Sequence, residues 1–288
     1  MTTSPASVDA LIERFTREGY VLDRALATAI FLVLRLEKPL LVEGNAGVGK
    51  TEIAKTLARV LERELIRLQC YEGLDLSSAV YEWNYQKQLL AIKIEESSSA
   101  SVEQKEKHIF SPEFLLERPL LRSIRAEGAA AVLLIDEIDR ADEAFEAFLL
   151  ELLSDFQITI PELGTIRAAH RPFVILTSNR TRELSDALKR RCLYHWIDYP
   201  DFEKEMAIVR ARIPGIDETL ASQTVNFVQT VRRIDLAKPP GVSETLDCVA
   251  ALGALGKERL DADGREAVLG AIAKSADDAA LIREKAVS

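Results

Sequence analysis

The chain has 288 residues, 48% of them hydrophobic, enough for one large domain and a smaller one around a buried core. Acidic residues outnumber basic ones 46 to 37, for a net charge of −9. That balance argues against a protein that grips nucleic acid through an all-over basic face, because such a face is needed to displace counterions from phosphates. Residues 1–9 show no positive cluster ahead of an apolar run, so no secretory signal is expected. The most apolar stretch, 25–34, is flanked by Arg24 and Arg35. It falls short of the roughly 20 residues that span a bilayer and reads as a buried helix. Cys70, Cys192 and Cys248 form no C-x-x-C pair. They are expected to be structural residues of a protein in the reducing cytoplasm, either free or peripheral to the inner face of the membrane.

Residues 8–18 and 22–35 read as two amphipathic helices. Leu40-Leu41-Val42 follows Pro39 and reads as a buried parallel strand, then comes a glycine-rich turn, a helix over 50–61 and a second strand over 65–69. Residues 71–108 read as an insert. The alternating run 90–94 suggests a small hairpin, and the polar tract 95–107 a solvated tip. Tyr81, Trp83 and Tyr85 alternate, which would place them on one strand face. They form either a local hydrophobic cluster or a surface that grips a client. A helix is expected over 112–127, kinked or broken at Pro119. A strand over 131–135, a helix over 143–154 and a hairpin over 156–167 follow. Next are a strand over 173–176, a short helix over 183–190 and a fifth strand over 192–197. From Pro200 onward the pattern is helical. The expected architecture is α/β: a parallel five-stranded sheet between helices over residues 1–199, then a small helical lid over 200–288. His108, His170 and His195 lack ligand spacing, and no metal site is read from them.

Gly44-Asn45-Ala46-Gly47-Val48-Gly49-Lys50-Thr51 matches G-x-x-x-x-G-K-[ST] in full, between an apolar strand and a helix. Glycines let backbone N–H groups wrap phosphate oxygens, and the helix directs its positive end at the same anion. Lys50 is expected to reach the β- and γ-phosphates of ATP, and the Thr51 hydroxyl to ligate Mg²⁺. Glu52 completes the stretch assigned to nucleotide binding. Val132-Leu133-Leu134-Ile135-Asp136-Glu137 is an apolar strand ending in two carboxylates. Asp136 suits the Mg²⁺, and Glu137 suits the base that orients and deprotonates the attacking water. Asn179, at the end of the next apolar strand, suits a group that holds that water.

In this order the three elements resemble the Walker A, Walker B and sensor 1 motifs of AAA+ ATPases, which makes the expected activity Mg²⁺-dependent ATP hydrolysis. The insert, the hairpin over 156–167 and Asp136-Glu137-Ile138-Asp139-Arg140-Ala141 are similar to features of the MoxR branch, with Asp139 replacing that branch's asparagine. Longer stretches, 68–75, 79–85, 185–192 and 240–247, resemble the CoxD-type subgroup. That resemblance implies a chaperone that matures a molybdenum-containing hydroxylase such as carbon monoxide dehydrogenase. It also implies a homo-oligomeric ring, a hexamer, and a von Willebrand factor A-domain partner, with no nucleic-acid ligand. The alternatives are a chaperone for another metalloenzyme or complex, or a DNA-acting motor. The family supplies each site with a neighbour's arginine just before the fifth strand, where Arg190 and Arg191 stand; Arg191 is the first choice and Arg140 a weaker candidate. A second-sensor arginine is missing from Val242-Ser243-Glu244, which leaves Arg232 or Arg233 as possible substitutes.

Overall fold

The computed structural model describes residues 5–95 and 101–287. Part of the serine tract assigned to a solvated tip lies outside these residues. The strands are β1 (Leu40–Gly44), β2 (Leu65–Gln69), β3 (Tyr81–Trp83), β4 (Leu115–Glu117), β5 (Val132–Asp136), β6 (Gln157–Ile160), β7 (Gly164–Arg167), β8 (Phe173–Ser178) and β9 (Leu193–Ile197). The helices before the last strand are α1 (Val8–Arg17), α2 (Arg24–Leu36), α3 (Lys50–Leu61), α4 (Leu76–Ala79), α5 (Tyr85–Glu95), α6 (Val102–Ile109), α7 (Pro119–Ile124), α8 (Glu143–Asp155) and α9 (Asp186–Arg191). After it come α10 (Phe202–Arg212), α11 (Glu218–Val231), α12 (Val242–Ala254), α13 (Ala262–Ala267), α14 (Leu269–Ile272) and α15 (Ala276–Ile282).

The fold is α/β, with an all-parallel five-stranded sheet in the order β2-β5-β8-β1-β9. The central strands β1, β5 and the start of β8 read as continuous apolar runs, as strands buried on both faces of a parallel sheet do; every residue of β1 and β5 is buried. Each β5 position is paired in parallel: Leu65 faces Val132 at one end of β2, and Gln69 faces Asp136 at the other. On the other side Ile135 faces Leu176 of β8. The carboxylates that follow Ile135 and the polar residues that follow Leu176 therefore leave the sheet at the same end.

Contacts gather the chain into two compact units. One holds Thr28–Val42 and Leu57–His195, with a core that includes Ile66, Leu133, Ile135, Leu149 and Leu176. The other holds Pro5–Ala27, Glu43–Thr56 and the chain from Trp196 onward, where α11, α12, α14 and α15 close around Val228, Val231, Cys248, Leu252 and Ile282. Among the described residues no helix is long and apolar enough to cross a membrane.

Two segments differ from the reading of the sequence. Leu90 to Ile94 lie inside α5 instead of forming a hairpin. Five alternating residues are too few to separate a strand from a helix. What decides is packing: Gln88 is buried and donates to the Ile109 carbonyl at 2.7 Å, tying α5 to α6, while Asn84 caps the helix by accepting from the Lys87 N–H at 3.0 Å. The expected helix over 112–127 is instead a 3₁₀ turn, Pro112–Phe114, then β4, then α7. Leu115 to Glu117 pair antiparallel with β3, and Pro119 opens α7 in its first turn, where the missing N–H is harmless. The aromatic trio is also divided. Tyr81 and Trp83 lie on β3 and meet edge to face with ring centroids 6.2 Å apart, and Trp83 packs on Phe110 at 5.4 Å. Tyr85 begins α5 and is 63% exposed.

Candidate functional site

The phosphate loop grows directly out of β1. Gly47 and Gly49 take φ of 75° and 91°, left-handed backbone that a side chain would resist. Val48 is buried beneath the loop, while Ala46 and Gly47 are exposed on its outer side and Asn45 is half-buried. Lys50 is buried, and its ammonium donates to the carbonyls of Gly44 at 2.8 Å and Asn45 at 2.6 Å, so the cation sits within the turn. Thr51 is half-buried in the first turn of α3. Glu52 pairs instead with Arg212 at 3.4 Å and Lys55 at 3.6 Å.

The start of α12 packs on this loop. The Val242 N–H donates to the Gly47 carbonyl at 2.9 Å, and a Cβ on Gly241 would fall 2.7 Å from the Gly47 Cα, so only glycine fits there. Arg232 holds that approach in place. Its guanidinium meets both oxygens of Glu205 at 2.6 Å and donates to the carbonyls of Pro240 at 2.7 Å and Gly241 at 3.2 Å. It also donates to Thr245 Oγ1 at 3.0 Å and lies over the Tyr199 ring at 5.0 Å. Arg232 is therefore engaged by Glu205 and the chain leading into α12, whereas Arg233 is exposed. At the position where an arginine is missing, Glu244 accepts from the Gly241 N–H at 2.9 Å.

At the end of β5, Asp136 is 2% exposed and each of its oxygens has a donor. The Thr177 hydroxyl donates to Oδ1 at 2.5 Å, and Arg67 donates to Oδ2 from Nε at 3.1 Å and Nη2 at 2.6 Å. Thr177 Oγ1 in turn accepts from the Glu137 N–H at 2.9 Å. Glu137 stands at φ 55°, ψ 50°, a conformation that costs a non-glycine residue about 1–3 kcal/mol and recurs at functional sites. Its carboxylate pairs with Arg140 Nε at 2.9 Å. Asn179 is half-buried immediately after β8. Asp139 is buried; its Oδ2 accepts from the N–H and hydroxyl of Thr181 at 2.8 and 2.7 Å. The Cys70 N–H donates to the Asp136 carbonyl at 2.8 Å. Burial, reinforced by the charges of Asp136 and Asp139, pushes the Cys70 thiol up to about 12, so it is a neutral packing group and no nucleophile. Burial also pushes Cys192 and Cys248 up to about 12.

The two candidate neighbour-directed arginines differ. Arg191 is half-buried and donates to Ser154 Oγ at 2.6 Å and the Ala187 carbonyl at 2.9 Å, whereas Arg190 is exposed at the end of α9. Reading the sequence missed Arg67 and Thr177. Their signal exists only in the register, since Gln69 faces Asp136 and Arg67 shares its strand face.

Comparison with known proteins places this geometry. Residues 39–192, more than half of the chain, match the AAA domain (dynein-related subfamily). The chain belongs to this AAA family. It is also 28% identical over 233 residues to an uncharacterised protein of Staphylococcus epidermidis, covering 78% of each chain. An uncharacterised protein of Staphylococcus aureus strain bovine RF122/ET3-1 is 27% identical over 224 residues, 75% of this chain and 76% of that one. Among solved structures, a variant of Thermotoga maritima RuvB superposes with a TM-score of 0.50 at 16% identity, over 93% of this chain and 71% of that one. This likeness is one of fold alone.

The AAA family binds ATP with Mg²⁺, and the chain is an ATPase. Its residues suit both. The left-handed glycines and the buried Lys50 make an anion cradle, and the Thr51 hydroxyl and Asp136 carboxylate are the hard oxygen donors Mg²⁺ prefers. The Arg67 guanidinium pairs with Asp136 Oδ2.

Proposed function

We propose that ATP hydrolysis by this chain drives chaperone-like remodelling of a protein client. In the chemical step, Lys50 and the backbone of Gly44 to Thr51 would hold the phosphates, while Thr51 and Asp136 would hold Mg²⁺, which would neutralise the developing charge. Glu137 takes the proton of the attacking water, and Asn179 orients it. The observation that carries the hydrolytic reading is the strained, strand-terminal Glu137 beside a buried Asp136. In this reading residues 1–199 work as the nucleotide-binding core and 200–288 as a lid.

AAA+ proteins commonly assemble into rings, and we assign this chain to a hexamer in the cytoplasm. Arg190 is better placed than Arg191 to reach a neighbour, because Arg191 is spent on Ser154 and Ala187. Expected results follow for mixtures of variants. Arg190→Ala should bind ATP yet hydrolyse it slowly, and Arg191→Ala should be milder. Mixing Arg190→Ala with Glu137→Gln should recover activity at hybrid interfaces, where each subunit supplies what the other lacks. No recovery at any ratio, with the chain monomeric in ATP, would sink the ring.

The client assignment rests on the CoxD-like stretches. It is a molybdenum-containing hydroxylase such as carbon monoxide dehydrogenase, with a von Willebrand factor A-domain protein as partner. A metal centre cannot be built inside a closed, packed enzyme, so ATP-driven strain is a reasonable way to open one. Two features support a protein client: the net charge of −9, and the exposed Leu89, Leu90 and Ile94 of α5. The runner-up is a MoxR-type chaperone for another metalloenzyme or complex. The test is to trap Glu137→Gln with ATP in its native extract and identify what co-purifies. An immature molybdenum hydroxylase is the expected catch. DNA and replication proteins, with DNA-stimulated ATPase, would overturn the reading in favour of a DNA motor.

A further inference from the structure

Asp136 is a buried carboxylate whose two oxygens are both engaged. Oδ1 takes the Thr177 hydroxyl, and Oδ2 takes two N–H groups of Arg67, which also bonds the Gln69 side-chain oxygen. The two partners are unequal. Thr177 is buried and its hydroxyl also anchors the Glu137 N–H, so it is fixed. The Arg67 side chain is 46% exposed against 3% for that of Asp136, and a half-exposed arginine on a strand can swing into solvent.

We propose that Arg67 is a positioning residue that acts as an exchangeable counter-cation for Asp136, so that a divalent ion must displace or oppose it. The inference deepens the reading of Asp136 as a metal holder and rests on it. A carboxylate with so little exposure is poorly solvated and needs a compensating positive charge. Arg67 supplies one when no metal is bound. Beside a dication held at Asp136 the same guanidinium would be a like charge, and it already occupies Oδ2. Arg67 therefore weakens divalent-ion binding and raises the free Mg²⁺ that the nucleotide complex requires. A purely structural arginine would do the opposite: its loss would disorder Asp136 and weaken the metal.

The two roles separate by sign. Arg67→Met keeps the stem and removes the charge; Arg67→Gln keeps a donor and removes the charge, should the first variant fold poorly. Binding of Mn²⁺ to the full chain with ADP is read by electron paramagnetic resonance, which needs no turnover. The expected result is a Mn²⁺ dissociation constant at least threefold lower in either variant, with metal-free ADP affinity unchanged and the metal-free protein melting at a lower temperature. An unchanged or higher Mn²⁺ dissociation constant in a folded variant would overturn the role of Arg67. Asp136→Asn is the control for the underlying assignment, and its Mn²⁺ binding should be largely lost. If Asp136→Asn bound Mn²⁺ as tightly as the parent, the metal assignment would fail, and the role of Arg67 with it.

Discussion

Glu137→Gln is expected to retain ATP binding while its turnover falls by about two to four orders of magnitude, the scale for loss of a positioned general base. The amide has nearly the shape of the carboxylate, so the left-handed backbone at φ 55° and the Thr177 bond to its N–H can persist. What disappears is the ability to take a proton from water. Affinity should hold because phosphate binding falls to the glycine loop and Lys50. Lys50→Ala makes the complementary case: it removes a buried ammonium bonded to two loop carbonyls and should abolish measurable nucleotide affinity. Parallel measurement of ATP binding and phosphate release in both variants distinguishes the roles. Near-normal turnover in Glu137→Gln would mean that another group is the base.

Arg232→Ala should lower stability by about 3–5 kcal/mol, the usual penalty for leaving one member of a buried pair behind. The Glu205 side chain is fully buried and that of Arg232 is 7% exposed. Without the guanidinium, Glu205 keeps Thr245 at 2.5 Å and Gln229 at 3.1 Å, two neutral donors for a charge. The substitution also releases the carbonyls of Pro240 and Gly241, which position Gly241 against Gly47. Weaker nucleotide binding should therefore accompany the loss of stability, although Arg232 is engaged elsewhere. Replacing both partners, Glu205→Leu with Arg232→Met, should recover much of the stability, because no unpaired charge remains. Urea unfolding monitored alongside nucleotide titration checks both effects. A midpoint in Arg232→Ala no lower than the parent's would show that the pair contributes nothing.

Much of the fold was legible in the chain because its signals are local. Leu40 to Val42 and Val132 to Ile135 are short apolar runs bounded by polar or glycine residues, and strands buried on both faces take that form. The spacing of Gly44, Gly49, Lys50 and Thr51 encodes a turn whose chemistry depends on consecutive residues, and Asp136-Glu137 marks a strand end by itself. The insert was misread because its pattern is short and its outcome depends on partners. Leu90 to Ile94 become helix where Gln88 reaches Ile109, and Leu115 to Glu117 become strand where β3 offers an edge.

By itself, then, the sequence determined the α/β class, the phosphate loop and the acidic strand end, since each is carried by neighbours in the chain. Only the tertiary structure decided what surrounds those groups. Arg67 reaches Asp136 across 69 positions, and Thr177 reaches it across 41, because β2, β5 and β8 lie side by side. The same holds for Arg232, which the sequence leaves as a candidate for nucleotide and which the fold commits to Glu205. A charged side chain is assigned by the partner that compensates its burial, and that partner is chosen by packing, which periodicity and motif spacing do not encode.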